Sequence, residues 1–240
     1  LSTGKILRQR NITNPQIRYG SDVMSRVKNA MDGHADDLKV CIRNDLITMG
    51  EELLGEDFLK HNIVFSGNTI MTHLILGYPV DGFARYPFVP YKTDQVSFVE
   101  KGRNLFFMPA ISAFVGGDIV SGLYHLKKKA KASGREQDKF LLIDLGTNAE
   151  LVLFDGKNYY CTSASAGPAL EGASISCGVA SVRGAINHLS INDGKCTYTT
   201  IGGETPIGLC GSGIIDLIHE LYRNRIIDNG GLLIDRYMDE

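Results

Sequence analysis

Apolar side chains recur every three or four residues in two segments near the start of the chain, the spacing of a helix that buries one face. In the longer segment, 36–54, the recurring positions are Leu38, Ile42, Leu46, Met49 and Leu53. The shorter segment, 14–31, opens with a proline-containing turn and predicts a helix with Asp22 near its positive N-terminal end. The preceding residues, 1–10, are interpreted as the end of a strand.

Further along the chain, strand and helix patterns alternate. The segments 62–80 and 104–126 each predict a strand, a loop and a helix. A hairpin is predicted from the apolar strands 140–144 and 150–154, which the sequence GTNAE joins. A third strand is predicted at 158–165, after an Asp-Gly turn.

A polar, turn-rich sequence, GREQDK at 134–139, is the best candidate for a boundary between two lobes. We therefore expect a first lobe at 1–133 and a second lobe at 134–240. The sequences YGSDVMSRV at 19–27 and CGSGIIDLI at 210–218 both place Gly-Ser at the start of a helix. This faint repeat hints that the two lobes share one plan.

Composition narrows the class of protein. The 240 residues are 43% hydrophobic, enough for a real core, and the formal net charge of -2 implies no field that would attract nucleic acid or an anionic membrane. The sequence has no apolar run of about 20 residues and its start lacks the apolar core of a signal peptide, so a cytoplasmic protein is expected. The five cysteines are widely spaced and never form a C-x-x-C pair, which argues against disulfides, structural zinc or an iron-sulfur cluster held by these residues.

The predicted hairpin has a turn whose residue types suit a phosphate group and a metal ion. Gly146, Thr147 and Asn148 supply small and polar groups that can present N–H donors to phosphate oxygens. Asp144, at the end of the first strand, can hold Mg²⁺, usually through water. A purely structural hairpin is the alternative, because the pattern D-x-G-T is short. Neither G-x-x-x-x-G-K-[ST] nor a strand-borne G-x-G-x-x-G occurs.

Small residues crowd the segment 163–178, where backbone can approach a ligand or another backbone closely. Gly167 belongs to this segment, and Glu171 is its one carboxylate. Glu171 would orient a water molecule if it faced the hairpin. The alternative is a glutamate that starts a helix and is favoured there by the helix dipole.

Two loops lead into helix N-termini, which are natural anion sites. One contains Gly208, Gly211, Ser212 and Gly213, and the other is SGNT at 66–69, with Gly67 and Asn68. Each is equally a plain strand-to-helix connection, and Ser212 is then the N-cap of its helix.

The histidines do not form a metal or nucleophile pattern. The six are scattered, without an H-x-x-x-H pair or a cysteine at ligand spacing. His73, on an otherwise apolar helix, is interpreted as a core residue with satisfied hydrogen bonds.

Six segments, taken in order, closely resemble the reductive activators of corrinoid proteins, and together they extend over nearly the whole chain. They are NPQIRYGSDVMSR, SGNTIMTHLILG, PAISAFVGGDIVSG, LLIDLGTNAELVL, SAGPALEG and GLCGSGIIDLI. The resemblance implies an α/β fold of two ribonuclease-H-like lobes, as in the superfamily of actin, sugar kinases and heat-shock chaperone ATPases, with mixed sheets flanked by helices. ATP lies between the lobes in that superfamily.

The same resemblance identifies residues 144–148 as the phosphate hairpin of the second lobe. It implies that Asp144, Gly146, Thr147 and Asn148 bind the nucleotide phosphates, with Asp144 holding Mg²⁺ through water. Further positions expected near the nucleotide are Gly67, Asn68, Gly117, Asp118, Gly167, Glu171, Gly208, Gly211, Ser212 and Gly213.

Members of this family use ATP while they return a corrinoid cobalt from Co(II) to Co(I), with electrons arriving through an iron-sulfur domain. The resemblance therefore implies ATP and Mg²⁺ as cofactors, a corrinoid protein as partner and a homodimer. The first lobe's phosphate hairpin is expected before residue 1 and an adenosine loop after residue 240, so both lobes are expected to be incomplete. The iron-sulfur cluster is expected in another part of the protein, and the isolated chain is expected to bind ATP weakly and to reduce nothing.

Two other functions stay open. The first is a small-molecule kinase of the same superfamily, for which Asp118 in the sequence GGDIVSG is the candidate base. The second is a non-catalytic scaffold that keeps the fold for dimerisation or docking of a partner.

Overall fold

The computed structural model describes residues 5–100, 102–167 and 175–237, in which five α-helices and three three-stranded sheets form a mixed α/β architecture. The chain divides into two compact units. The first comprises Leu1–Asp144 with Glu150–Ser163, and the second comprises Leu145–Ala149 with Ala164–Glu240. None of the helices in the described residues is long and apolar enough to cross a bilayer.

Two helices open the first unit: α1 at Val23–Asn29 and α2 at Ala35–Leu54. The side chain of Asp22 caps α1 by accepting hydrogen bonds from the backbone N–H groups of Met24 and Ser25, both at 2.9 Å. Both helices predicted from the spacing of apolar residues are therefore confirmed. Residues 5–10 are exposed and have no regular structure, so the strand predicted at 1–10 is wrong for the part that is described: no described strand pairs with it.

The first sheet contains β1 at Ile63–Phe65, β2 at Val96–Glu100 and β3 at Arg103–Phe107, in the order β1-β3-β2. Strand β3 runs parallel to β1 and antiparallel to β2. Two helices follow strands of this sheet, α3 at Thr69–Leu76 and α4 at Gly117–Ala132, which confirms the two predicted strand-loop-helix segments.

The apolar face of α2 contributes residues to two hydrophobic clusters. Leu38 packs with residues of α1 and α3 in one cluster, whereas Ile42, one turn later, packs on the sheet beside Leu105 and Phe107 in the other. The periodic pattern of α2 thus joins the helical layer of this unit to its sheet.

The predicted hairpin and the strand after it form a second sheet, in the order β4-β5-β6. Its strands are β4 at Phe140–Leu145, β5 at Asn148–Phe154 and β6 at Tyr159–Ser165. Ile119 of α4 and Val115, which precedes the helix, form a buried cluster with Val152 of β5. All three predicted strands are confirmed, although β5 begins at Asn148 rather than at residue 150 and the turn is correspondingly shorter. The lobe boundary predicted at 133 and 134 stays a prediction.

The second unit contains β7 at Ala185–Asn192, β8 at Lys195–Thr200, β9 at Gly208–Leu209 and α5 at Gly211–Arg223. The sheet order is β8-β7-β9, with β7 antiparallel to β8 and parallel to β9. Helix α5 packs on this sheet through Ile214, which meets Leu189 and Leu209 in a small buried cluster.

Candidate functional site

Two loops of the first unit meet where α3 and α4 begin. The backbone N–H of Asp118 donates to the carbonyl oxygen of Gly67 at 3.3 Å. The hydroxyl of Ser66 donates to the carbonyl oxygen of Gly117 at 3.1 Å. The side chain of Asn68 caps α3 by accepting from the backbone N–H of Met71 at 2.8 Å. The structure therefore brings four predicted site residues together: Gly67, Asn68, Gly117 and Asp118.

Glycine is required at two positions in this meeting of loops. A Cβ atom on Gly116 would lie 2.5 Å from the Cα of Asn68, and one on Gly117 would lie 2.9 Å from the Cβ of Met108. Both distances are too short for carbon atoms that are not bonded. The pair Gly-Gly thus allows the backbone of the α4 loop to pass directly over the backbone of the α3 loop.

Three carboxylates of the first unit interact electrostatically near the start of α4. Burial raises the pKa of Asp118, and the negative charge of Asp144 raises it further, against the lowering effect of hydrogen bonds from nearby backbone N–H groups. Burial also raises the pKa of Glu150, and the negative charges of Asp118 and Asp144 raise it further. The hydroxyl of Ser163 donates to Glu150 Oε1 at 3.3 Å and partly offsets this rise.

This group of carboxylates is short of positive charge. Among the described residues, no cation is a cause of the raised pKa of Asp118 or of Glu150 or opposes it. Across residues 5–100, 102–167 and 175–237, no three His, Cys, Asp or Glu side chains lie close enough to enclose a metal ion by themselves. One or two carboxylates are enough to bind Mg²⁺, because this ion keeps several of its own waters.

The turn of the hairpin belongs to the second unit, and main-chain hydrogen bonds fix it there. The N–H of Gly146 donates to the carbonyl oxygen of Asn148 at 2.8 Å, and the N–H of Gly167 donates to that of Thr147 at 2.9 Å. Gly167 has a φ of 77°, which favours glycine. Three predicted phosphate-binding residues and Gly167 therefore share one main-chain network within this unit.

The start of α5 differs from the prediction in one respect. Cys210 is the N-cap residue, and Ser212 lies inside the helix, so the interpretation of Ser212 as the N-cap is wrong. The hydroxyl of Ser212 lies 3.4 Å from the sulfur of Cys210 instead. The helix therefore starts two residues earlier than a cap at Ser212 would require, directly after β9, which ends at Leu209.

Packing within the second unit accounts for two of the glycines around α5. A Cβ on Gly213 would lie 2.2 Å from the carbonyl oxygen of Ile186, and one on Gly208 would lie 2.6 Å from that of Cys177. These two positions therefore need glycine whether or not a ligand binds. Glu171 lies outside the described residues.

Sequence reasoning missed Glu150 and Ser163, which join Asp118 and Asp144 in the first unit. Glu150 is the one charged residue in the mostly apolar strand β5, and that contrast was the available signal. Nothing in the spacing of Ser163 distinguishes it from the small residues around it.

Comparison with known proteins identifies relatives along the whole chain. A sequence model described as the RACo middle region matches residues 1–130, and a second, described as the C-terminal domain of RACo, the ASKHA domain, matches residues 138–239. The corrinoid activation enzyme RamQ of Eubacterium limosum is 32% identical over 250 residues, which is 98% of this chain and 41% of that protein. A solved structure of a reductive activator for corrinoid, iron-sulfur protein superposes with a TM-score of 0.79 at 31% identity, covering 98% of this chain and 39% of the other.

Proposed function

The chain belongs to the RACo family, and we propose that it forms the ATPase body of a protein that uses ATP to return corrinoid Co(II) to Co(I). The two relatives described above bear names that specify corrinoid activation, and the C-terminal part of the chain matches an ASKHA domain. The chain spans about two fifths of the length of those relatives, at 41% and 39%. The activity that the names of those whole proteins specify is therefore a proposal for this chain.

The observation that carries the proposal is the group of carboxylates in the first unit. Burial and mutual repulsion raise the pKa values of Asp118 and Glu150, so a bound cation would relieve an existing electrostatic cost. Mg²⁺ with phosphate oxygens is the cation complex that suits such a set. When bound, Mg²⁺ would neutralise charge on the phosphates.

Each predicted residue has a proposed role. Asp144 positions the ion through water, and the turn formed by Gly146, Thr147 and Asn148 holds phosphate oxygens. Asp118 and Glu150 add negative charge that orients the waters around the ion. Close approach of the nucleotide is proposed for the other predicted positions: Gly67, Asn68, Gly117, Gly167, Glu171, Gly208, Gly211, Ser212 and Gly213.

The proposed reaction is unfavourable without an energy source, because Co(I) is a very strong reductant. One electron reduces Co(II) to Co(I), and we propose that it arrives through an iron-sulfur cluster held by residues other than these. ATP binding or hydrolysis would favour one of two conformations of the activator. The partner is a corrinoid protein, and the active form is a homodimer.

The test follows the cobalt absorbance of a Co(II) corrinoid protein under a low-potential reductant, with the full-length activator and with or without Mg-ATP. Wild type is expected to produce Co(I) only with ATP, and Asp144→Ala is expected to abolish that effect. Asp94→Ala, at an exposed aspartate of the first unit, is the matched control and should behave like wild type. Equal Co(I) formation with and without ATP would overturn the proposal.

One observation favours a second function, phosphoryl transfer to a small molecule. The raised pKa of Asp118 suits a general base, which works best when its pKa approaches the working pH. In that case ³²P from labelled ATP would appear on a metabolite, and Asp118→Asn would abolish the transfer. The absence of labelled product from a metabolite extract would exclude this function.

A further inference from the structure

A cavity of about 310 Å³ lies between α2 and the sheet β1-β3-β2 in the first unit. Its walls are mostly apolar, with Val40 and Ile47 from the helix and Ile63, Leu105 and Phe107 from the sheet. Its volume lies within the range of small-molecule sites, about 300 to 1,000 Å³. None of the described residues that are proposed to bind nucleotide lines this cavity.

An arginine occupies a position of β3 that the pattern of the strand assigns to an apolar side chain. Arg103, Leu105 and Phe107 alternate along β3 and are all buried, because every second residue of a strand faces the same side. Arg103 is only 5% exposed and lines the cavity together with the other two.

The guanidinium group of Arg103 has unused hydrogen-bond donors. Among the described side chains and backbone, its Nε and Nη1 atoms have no hydrogen-bond partner. Glu100 is the cross-strand neighbour of Arg103, but its carboxylate pairs with Arg43 at 3.4 Å instead. Buried charges are ordinarily paired, so these two donors are available to an anionic ligand.

A ring holds this guanidinium in place without satisfying its donors. The guanidinium carbon of Arg103 lies 4.5 Å from the ring centroid of Phe58. The ring of Phe58 in turn packs against α2 at Gly50, where a side chain would leave no room for it: a Cβ on Gly50 would lie 2.1 Å from the ring. The stack covers the face of the guanidinium, whereas hydrogen bonds form in its plane, so the donors remain available.

The charges that line the cavity favour an anionic occupant. Among the described residues that line the cavity, Lys39, Arg43 and Arg103 are cations and Glu100 is the one carboxylate, which already pairs with Arg43. The remaining wall is aliphatic and aromatic, which disfavours a fully hydrophilic anion such as free phosphate. The occupant must therefore combine one anionic group with an apolar body.

We propose that this cavity binds a small monocarboxylate with an apolar chain, its carboxylate on the guanidinium of Arg103 and its chain against Leu105, Phe107 and α2. Arginine is well suited to this role because it stays charged and its planar N–H groups match a carboxylate. The proposal goes beyond the nucleotide function and does not depend on it.

The test is isothermal titration calorimetry of the full-length protein with sodium octanoate. Octanamide, which has the same chain and no charge, separates the contribution of the carboxylate from that of the chain. Wild type is expected to bind octanoate at least about tenfold more tightly than octanamide, because hydrogen bonds to charged groups are strong. Arg103→Met is expected to remove that preference, whereas Arg85→Met, at an exposed arginine of the same unit, should keep it.

A second variant keeps the test decisive if Arg103→Met folds poorly. Val40→Trp places a large side chain at an exposed position on the cavity wall and should block octanoate binding without touching Arg103. Equal affinity for octanoate and octanamide in wild type would overturn the proposal. Unchanged octanoate binding in Val40→Trp or in folded Arg103→Met would also overturn it.

Discussion

The backbone N–H of Asp118 donates a hydrogen bond to the carbonyl oxygen of Gly67, which ties the first turn of α4 to the loop that precedes α3. This bond forms only because Gly116 and Gly117 let the two backbones approach. It also fixes the Cα of Asp118, so the position of its carboxylate depends on glycines that carry no chemistry themselves.

Gly116→Ala is expected to destabilise the protein, whereas Gly67→Ala is expected to be tolerated. The new Cβ at residue 116 would lie 2.5 Å from the Cα of Asn68, but one at residue 67 has its nearest neighbour, the Cβ of Met71, at 4.0 Å. Overpacking of this kind costs about 2 kcal/mol of unfolding free energy. Urea denaturation of the two variants measures the difference. Equal midpoints would show that the loops do not pack as described.

How far the sequence predicts this fold depends on the strength of each local pattern. The helix α2 was predicted because its long periodic face is a signal that packing reinforces. Strands β2, β7 and β8 were not predicted. Strand β8 is polar and exposed along most of its length, so its identity comes from pairing with β7 rather than from its own residues.

Prediction of the candidate site from the sequence is limited in a similar way. Gly67 and Asp118 are 51 positions apart in the sequence, and no local pattern reports that their loops touch. The pattern D-x-G-T and the resemblance to a family predict a site at Asp144 and its hairpin, whereas Glu150 joins Asp118 and Asp144 only in the folded structure. The sequence also gives no sign that Nε and Nη1 of Arg103 lack hydrogen-bond partners among the described residues, because Arg103 reads as an ordinary strand end.

His73 is expected to make stability depend on pH below neutrality. Its Nδ1 lies 2.8 Å from the carbonyl oxygen of Thr69, and the backbone N–H of Lys92 donates to its Nε2 at 3.3 Å, so the neutral ring with a proton on Nδ1 satisfies both contacts. Burial lowers the pKa of His73 below its ordinary value of 6.5. As pH falls below 6.5, the unfolded chain binds a proton that the folded protein does not, and stability is lost.

Urea denaturation between pH 8 and pH 5 tests this expectation with His73→Gln, which cannot titrate. The variant should be less stable than wild type at pH 8, because it cannot make both hydrogen bonds, but it should lose less stability on acidification. His125→Gln, at an exposed position of α4, is the control and should keep the wild-type slope. Parallel pH profiles for wild type and His73→Gln would contradict the expectation.

Asp118→Asn is expected to stabilise the protein at pH 7 in the absence of Mg²⁺. Burial raises the pKa of Asp118, so this carboxyl group favours the folded state when protonated and loses that contribution as pH rises through its folded pKa. An uncharged amide avoids this loss. The advantage should vanish at pH values low enough to protonate Asp118 in wild type.

Thermal unfolding of both proteins with and without MgCl₂ and ATP completes this test. Mg-ATP should raise the midpoint of wild type more than that of Asp118→Asn, because ligands that bind the folded state stabilise it. Asp36→Asn, at an exposed aspartate in the first turn of α2, controls for the effect of the helix dipole. A lower midpoint for Asp118→Asn than for wild type at pH 7 without Mg²⁺ would contradict the proposed electrostatic cost.

Gly146→Ala is expected to weaken ATP binding by the full-length protein without disturbing its fold. The φ of Gly146 lies outside the left-handed region, and a Cβ there would have its nearest neighbour, the carbonyl oxygen of Asn148, at an ordinary 3.5 Å. A methyl group should therefore hinder only a phosphate that approaches the turn, raising the Kd for Mg-ATP by about tenfold or more, or 1.4 kcal/mol, as calorimetry can measure. Gly122→Ala, inside α4, is the matched control, because its Cβ would lie at an ordinary distance of 3.7 Å from the side chain of Leu142. Wild-type ATP affinity in a normally folded Gly146→Ala would mean that no phosphate lies against this turn.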